Sequence, residues 1–198
     1  MSKADWQENS LDRILGDLYP HGLVSTILDV GCGISLKSQY LEADFRLGLD
    51  IHRPMFEKIA TTVPYGVVQL DARNLRRNFV ARSWDLVLLC DILEHLERHE
   101  GERLLDEAEA IARVAVIIES PQGWIPQNID IWGLGADVWQ THRSSWEPKD
   151  LEERGYAVVT RPYRMSEAKR HTHENPPLDI TMMAGIKRLG GQGPKGEE

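Results

Sequence analysis

Cysteine is scarce in this chain: Cys32 and Cys90 are the only two among 198 residues. Two thiols at unrelated positions exclude a disulfide framework and give no paired spacing for zinc, so a reduced, cytoplasmic protein is expected. No apolar run is long enough to cross a bilayer, which argues against a membrane partner. The opening residues, MSKADWQENSLDRI, lack the apolar core of an export signal. A Gly-x-Ser-x-Gly elbow and a Walker phosphate loop are both missing, which argues against hydrolase and nucleoside-triphosphatase chemistry. Positive charge is also in short supply, with 23 Lys and Arg against 31 Asp and Glu and a formal net charge of −8. Such a surface repels phosphate backbones and argues against nucleic acid as a substrate. The local cluster of Arg73, Arg76 and Arg77 reads as a solvated face.

What is present is the composition of an ordinary globular protein, 41% hydrophobic and 27% charged. The length suits one domain, placed here at residues 1–189, with a glycine-rich and charged tail at 190–198 expected to be disordered. Leu11, Ile14, Leu15 and Leu18 recur at helical spacing and predict an opening helix within residues 1–22, closed by Pro20 and Gly22. Strands are predicted at 25–30, 46–50, 67–71, 84–89 and 114–118. Helices are expected at 35–43, 101–113 and 148–155. Residues 156–163 and 178–187 read as two last strands with no helix between them. This order predicts an α/β fold: a Rossmann-like, doubly wound, mostly parallel seven-stranded sheet with an antiparallel edge strand. The segment 120–146 has little periodicity and many tryptophans and glycines, and reads as a lid over the site.

The densest chemical signal is ILDVGCGIS, residues 27–35. A buried strand ends in Asp29, Gly31 and Gly33 flank a tight turn, and glycine there lets a ligand approach the backbone closely. The spot is the mouth of the crevice in a doubly wound sheet. The dinucleotide pattern G-x-G-x-x-G fails, because its third glycine would fall on Leu36. Asp50 closes the next strand, where a carboxylate can accept from both hydroxyls of a ribose. Asp71 closes the third, where a carboxylate can accept from an exocyclic amine.

Taken together, ILDVGCG, GLDI, VQLDARNL and WDLVLLCDILEHL resemble the motif series of class I S-adenosylmethionine-dependent methyltransferases, in particular the small type 11-like branch. The resemblance is good over residues 27–96 and looser to residue 187. It implies S-adenosyl-L-methionine as cofactor. It also implies that Asp29, Gly31, Cys32 and Gly33 surround its aminoacyl and ribose parts, and that Asp50 holds the ribose with Ile51 against adenine. Asp71 and Ala72 would lie at the adenine amine, and Cys90 and Asp91 near the sulfonium. Relatives often carry a third glycine where this chain has Ser35, a residue able to cap a helix start.

On the acceptor side the candidates for catalysis are His142, in QTHRSSW, and His95, in ILEHL. Trp124, Trp139 and Trp146 are candidates to wall a pocket for a small-molecule acceptor. Trp132 falls in the same segment. No metal is expected; His171, His173 and Glu174 read as solvated loop residues. Two alternatives stand beside methyl transfer: a non-catalytic subunit that only binds the cofactor, and a nicotinamide oxidoreductase. The missing third glycine and the lack of a Tyr–Lys hydride pair count against the latter.

Overall fold

The computed structural model describes residues 18–34, 37–164 and 179–190. Leu11, Ile14, Leu15, Ser35, Leu36, His171, His173, Glu174 and the tail beyond Gly190 lie outside these ranges. Seven strands form one sheet: β1 (Thr26–Val30), β2 (Phe45–Asp50), β3 (Gly66–Gln69), β4 (Trp84–Cys90), β5 (Ala112–Pro121), β6 (Ala157–Arg164) and β7 (Asp179–Arg188). Their order is β3-β2-β1-β4-β5-β7-β6. β1 to β5 are mutually parallel, and β7 runs antiparallel between β5 and β6. The mostly parallel seven-stranded sheet expected from sequence is present, with its antiparallel member set one place in from the edge.

Alternate side chains of the central strands face opposite ways, so each strand feeds two cores. Leu28, Val30, Val87, Leu89, Val116 and Ile118 pack on one side with Leu104, Leu105, Ala108 and Ile111. Ile27, Leu86, Leu88, Ala115 and Ile117 pack on the other with Tyr19 and Leu41. Burial on both faces explains the continuous apolar run WDLVLLC, every residue of which is buried. The helix α2 (Arg98–Ile111), preceded in the chain by the single turn α1 (Leu75–Asn78), supplies the first face. It begins three residues before the predicted start because Glu97 and Glu100 form a capping box at its N-terminus.

The predicted helix at 35–43 is reduced to one 3-10 turn, Lys37–Tyr40. The buried Arg46 guanidinium donates to the carbonyls of Ser38 (3.0 Å), Ala43 (2.9 Å) and Leu41 (2.5 Å). Of these only the Ser38 carbonyl would be needed by the ladder of a helix ending at 43, since last-turn carbonyls have no partner within a helix. The third strand stops at Gln69, because Asp71 turns back to accept from the Arg73 N–H at 2.9 Å and opens a 3-10 turn. The fifth runs on to Pro121, held by pairing with β7 as far as Met182. Among the described residues, no helix is long and apolar enough to cross a membrane.

Candidate active site

Order reverses between β1 and β4, where the chain leaves for β2 and β3 on one side and for β5 on the other. Carboxyl ends of neighbouring parallel strands diverge at such a point and leave a crevice. Three of the expected residues gather there through strand register alone: Asp29 lies level with Leu88, and Asp50 with Gln69, while Cys90 pairs Glu119.

The turn after β1 is fixed by its neighbour. Gly31 and Cys32 donate their N–H groups to the Leu49 carbonyl at 2.8 and 3.0 Å. Gly31 has φ of +70°, and a Cβ placed on it would lie 2.6 Å from Ile92 Cδ1. Both backbone conformation and space therefore require glycine. Asp29 sits beneath this turn, fully buried, with Oδ2 accepting from the Ser38 N–H at 2.9 Å. Its carboxylate ties the end of β1 to the 3-10 turn Lys37–Tyr40. Burial pushes its pKa up to about 6, against the pull of the Ser38 bonds and Lys37.

That shift gives a pH signature. A carboxyl whose folded pKa lies above its unfolded value favours folding when protonated. The stability it adds is complete below about pH 4 and is lost as pH rises through about 6. Asp29→Asn keeps an oxygen acceptor for Ser38 and removes the titration. Thermal melts should show the variant more stable than wild type by about 1–3 kcal/mol above pH 6. The gap should close near pH 4; a gap of constant size from pH 4 to pH 8 would contradict this account.

Asp50 is the carboxylate that reaches the crevice. Its Oδ2 accepts from the Gly33 N–H at 3.0 Å and its Oδ1 from the His52 N–H at 2.8 Å. Each oxygen keeps a second acceptor position. Burial raises its pKa, offset in part by those N–H groups. Asp71, by contrast, is already engaged. Arg73 Nε and Nη2 clasp both of its oxygens at 2.7–3.0 Å, and Arg73 Nη1 continues to Glu100 at 3.1 Å. Burial acts to raise the Asp71 carboxyl, and Arg73 outweighs it, so the net shift is downward. Ile51, Gln69, Leu70, Asp71, Asn74, Arg77 and Asn78 line an open groove of about 490 Å³ beside Asp50. Ala72 is buried next to it.

Past β4, Cys90 is buried, and burial drives its thiol well above the usual range; burial does the same to Cys32. Neither is a thiolate nucleophile. Asp91 is exposed and takes φ of +51°, one of two non-glycine residues with positive φ among those described. Its N–H donates to the Glu119 carbonyl at 2.9 Å. Aspartate is one of the few non-glycine residues that adopts this left-handed conformation readily.

The segment 120–146, expected to be a lid, is tied down more firmly than its composition suggests. Asp130 accepts from the N–H groups of Trp132, Leu134 and Ala136. Burial acts to raise its pKa, and these N–H groups outweigh it and hold it low. The loop then forms the single turn α3 (Asp137–Gln140). His52 Nε2 donates to the Leu134 carbonyl at 2.8 Å, bringing the lid to the end of β2. Trp139, partly exposed, lies 6.0 Å from the Arg73 guanidinium, and Trp124 is exposed.

Trp146 corrects the expectation. It is completely buried, with its ring edge where a Cβ on Gly101 would be (2.6 Å), Arg98 stacked at 3.8 Å and Nε1 donating to Ser144 Oγ at 3.0 Å. It pins the end of the lid into the core and has no face for an acceptor.

His95 and His142 come together edge to face, with ring centroids 4.8 Å apart. The segments carrying them are stitched by backbone: Arg143 and Ser144 donate their N–H groups to the Glu94 carbonyl at 2.7 and 3.2 Å, and Ser144 Oγ–H donates to Leu93 O at 3.1 Å. Arg143 Nη1 reaches the His95 carbonyl at 2.8 Å. Burial, then the neighbouring His142, presses the His95 pKa down to about 3, so it is neutral at physiological pH and a poor base. Sequence reading assigned no site role to Glu94, which is buried beside them, nor to His52 and Arg143, and it read Arg73 as part of a solvated face. Glu94 belongs to the EHL string, but only the fold shows that HRSSW packs on that string.

Residues 27–114 match the methyltransferase domain family. Comparison with curated proteins returns no match. Among solved structures, a Bacillus halodurans C-125 protein described as a candidate methyltransferase superposes with a TM-score of 0.68 at 11% identity, over 92% of this chain and 100% of that one. A SAM-dependent methyltransferase from Archaeoglobus fulgidus gives 0.55 at 20% identity, over 88% and 92%. The N-methyltransferase NodS of Bradyrhizobium japonicum WM9, crystallised with S-adenosyl-L-homocysteine, gives 0.60 at 13% identity, over 93% and 90%. At such identities the likeness is one of fold.

Proposed function

We propose that this chain is a class I S-adenosylmethionine-dependent methyltransferase, a reading supported by the methyltransferase-domain match over residues 27–114 and by the shared fold, and that it moves the methyl group of S-adenosylmethionine to a small or medium-sized acceptor. The observation that carries the reading is Asp50. Its carboxylate is braced by the N–H groups of Gly33 and His52 at the crevice edge, and it keeps one acceptor position on each oxygen for a ribose diol. In this reading the turn at Gly31, Cys32 and Gly33 backs the ribose and methionine parts. Ile51 faces the purine, in the groove that Gln69, Leu70 and Asn74 also line. Asp71 shares the adenine end with the Ala72 backbone, its carboxylate being held by Arg73. Cys90 and Asp91 stand near the sulfonium. Asp29 acts one step back, by tying the Lys37–Tyr40 turn to β1.

Methyl transfer from a sulfonium is an in-line displacement, in which the cofactor brings the activated carbon and the protein brings position and field. Orientation alone can lower the barrier by about 7–11 kcal/mol. On the acceptor side we place His142 and His95, with Trp124 and Trp139 on the lid above them.

The test is thermal denaturation. S-adenosylhomocysteine at 100 times its Kd should stabilise the protein by about 2.7 kcal/mol, a rise in Tm of roughly 5–10 °C. Labelled S-adenosylmethionine should then pass its methyl group to a component of a metabolite extract. Stabilisation by NADH with none by S-adenosylhomocysteine would overturn the reading. Cofactor binding with no labelled product would instead favour a non-catalytic subunit.

A further inference from the structure

Glu94, His95 and His142 each offer one ligand-type atom, imidazole nitrogen or carboxylate oxygen, and these atoms lie within 4.8 Å of one another. We propose that the three residues form a binding site for a divalent first-row transition ion such as Zn²⁺. This goes beyond the assignment of the adenosine crevice and stands on different residues.

The first argument is the chemistry of the donor set. Two imidazoles and one carboxylate suit zinc and its neighbours, whereas Mg²⁺ and Ca²⁺ ask for oxygen ligands throughout. The second is the tautomer. His142 Nδ1 lies 2.6 Å from the Ile125 carbonyl, and His95 Nδ1 lies 3.4 Å from the Thr141 carbonyl. A carbonyl cannot donate, so Nδ1 carries the proton in both rings and Nε2 is the basic nitrogen. Ligating histidines are commonly oriented in this way, by giving their other N–H to a backbone carbonyl. Glu94 has its own support, since Ser120 Oγ–H donates to its Oε2 at 3.1 Å.

The third argument is rigidity. The backbone bonds from Arg143 and Ser144 to Glu94, and from Ser144 Oγ to Leu93, fix the two ligand-bearing segments against each other before any ion arrives. The Arg143 guanidinium is directed to the carbonyls of His95, Thr141 and Val138. The spacing asks for a small adjustment. The centre of a triangle with 4.8 Å sides is about 2.8 Å from each corner. Zn–N bonds are about 2.0–2.1 Å, so each side chain moves inward by roughly 0.7 Å. Three protein ligands leave a fourth position for water or for an acceptor atom.

The experiment uses the full chain, stripped with a chelator and titrated with Zn²⁺, Co²⁺ and Mg²⁺. Metal content per chain, Co²⁺ visible absorption and S-adenosylhomocysteine affinity are measured on the same preparations. One Zn²⁺ or Co²⁺ per chain is expected, with Mg²⁺ bound at least 100-fold more weakly. His142→Gln and His95→Gln should each weaken Zn²⁺ binding by 100-fold or more and leave S-adenosylhomocysteine binding within about threefold. Glu94→Gln serves as a third variant, and circular dichroism identifies any that fails to fold. Wild-type protein that holds no Zn²⁺, or holds it no more tightly than both folded histidine variants, would overturn the site. Because cofactor affinity is read separately, loss of the metal proposal is distinguishable from loss of the methyltransferase reading.

Discussion

Replacing Asp50 with alanine should weaken S-adenosylhomocysteine binding by about 10- to 100-fold while the protein remains folded. A hydrogen bond to a charged group contributes about 1.5–3 kcal/mol, and losing the worth of one such bond accounts for that range. The fold should survive because Asp50 ends its strand at the crevice, and the Gly33 and His52 N–H groups it serves can turn to water when it is gone. Calorimetric titration measures the affinity and a melt of the same sample measures the fold. An unchanged Kd would remove Asp50 from the ribose and take with it the main support for the crevice assignment. A protein that melts early and binds nothing would instead mean that Asp50 works chiefly by bracing the Gly33 turn.

Trp146→Ala should be the most damaging single change in stability. Deleting a buried aromatic ring costs about 3–5 kcal/mol, which in a chain of this size lowers Tm by roughly 6–20 °C. The effect has several sources here. The ring is completely buried, it fills the space left by Gly101, and it supports Arg98, which also pairs Asp150. Trp146→Phe should recover much of the loss, because it keeps the ring and gives up the Nε1 bond to Ser144. A melt of the alanine variant within 2 °C of wild type would return Trp146 to the list of pocket residues.

The sheet was legible because it is written in local patterns. STILDV and WDLVLLC are continuous apolar runs with one physical reading, strands covered on both faces, and both are strands. The glycine turn after β1 and the strand end at Asp50 were legible for the same reason: each follows or closes such a run. What sequence could not show was set by contacts across the chain. Arg46 opens a predicted strand, yet its side chain is buried and donates to the carbonyls of Ser38, Leu41 and Ala43, contacts that no local pattern encodes. Asp71 reads as an open carboxylate, yet Arg73 clasps it. Trp146 is indistinguishable from Trp124 and Trp139 in composition, and only packing against Gly101 separates a core residue from two exposed ones. The approach of His142 to His95 spans 47 positions and depends on the Glu94 carbonyl, which no periodicity encodes.

The bond from His52 to the Leu134 carbonyl has a thermodynamic consequence. His52 stands two positions beyond Asp50, and Leu134 is anchored through Asp130 to the rest of the lid. With the nucleoside at Asp50 and the acceptor under the loop, as proposed, a shift at the end of β2 is passed to the loop, and a shift of the loop is passed back to Asp50. Such influence is reciprocal: whatever factor the first occupant adds to the second one's affinity, the second returns to the first. Dead-end inhibition patterns for the two substrates should carry that symmetry, and His52→Ala should uncouple them.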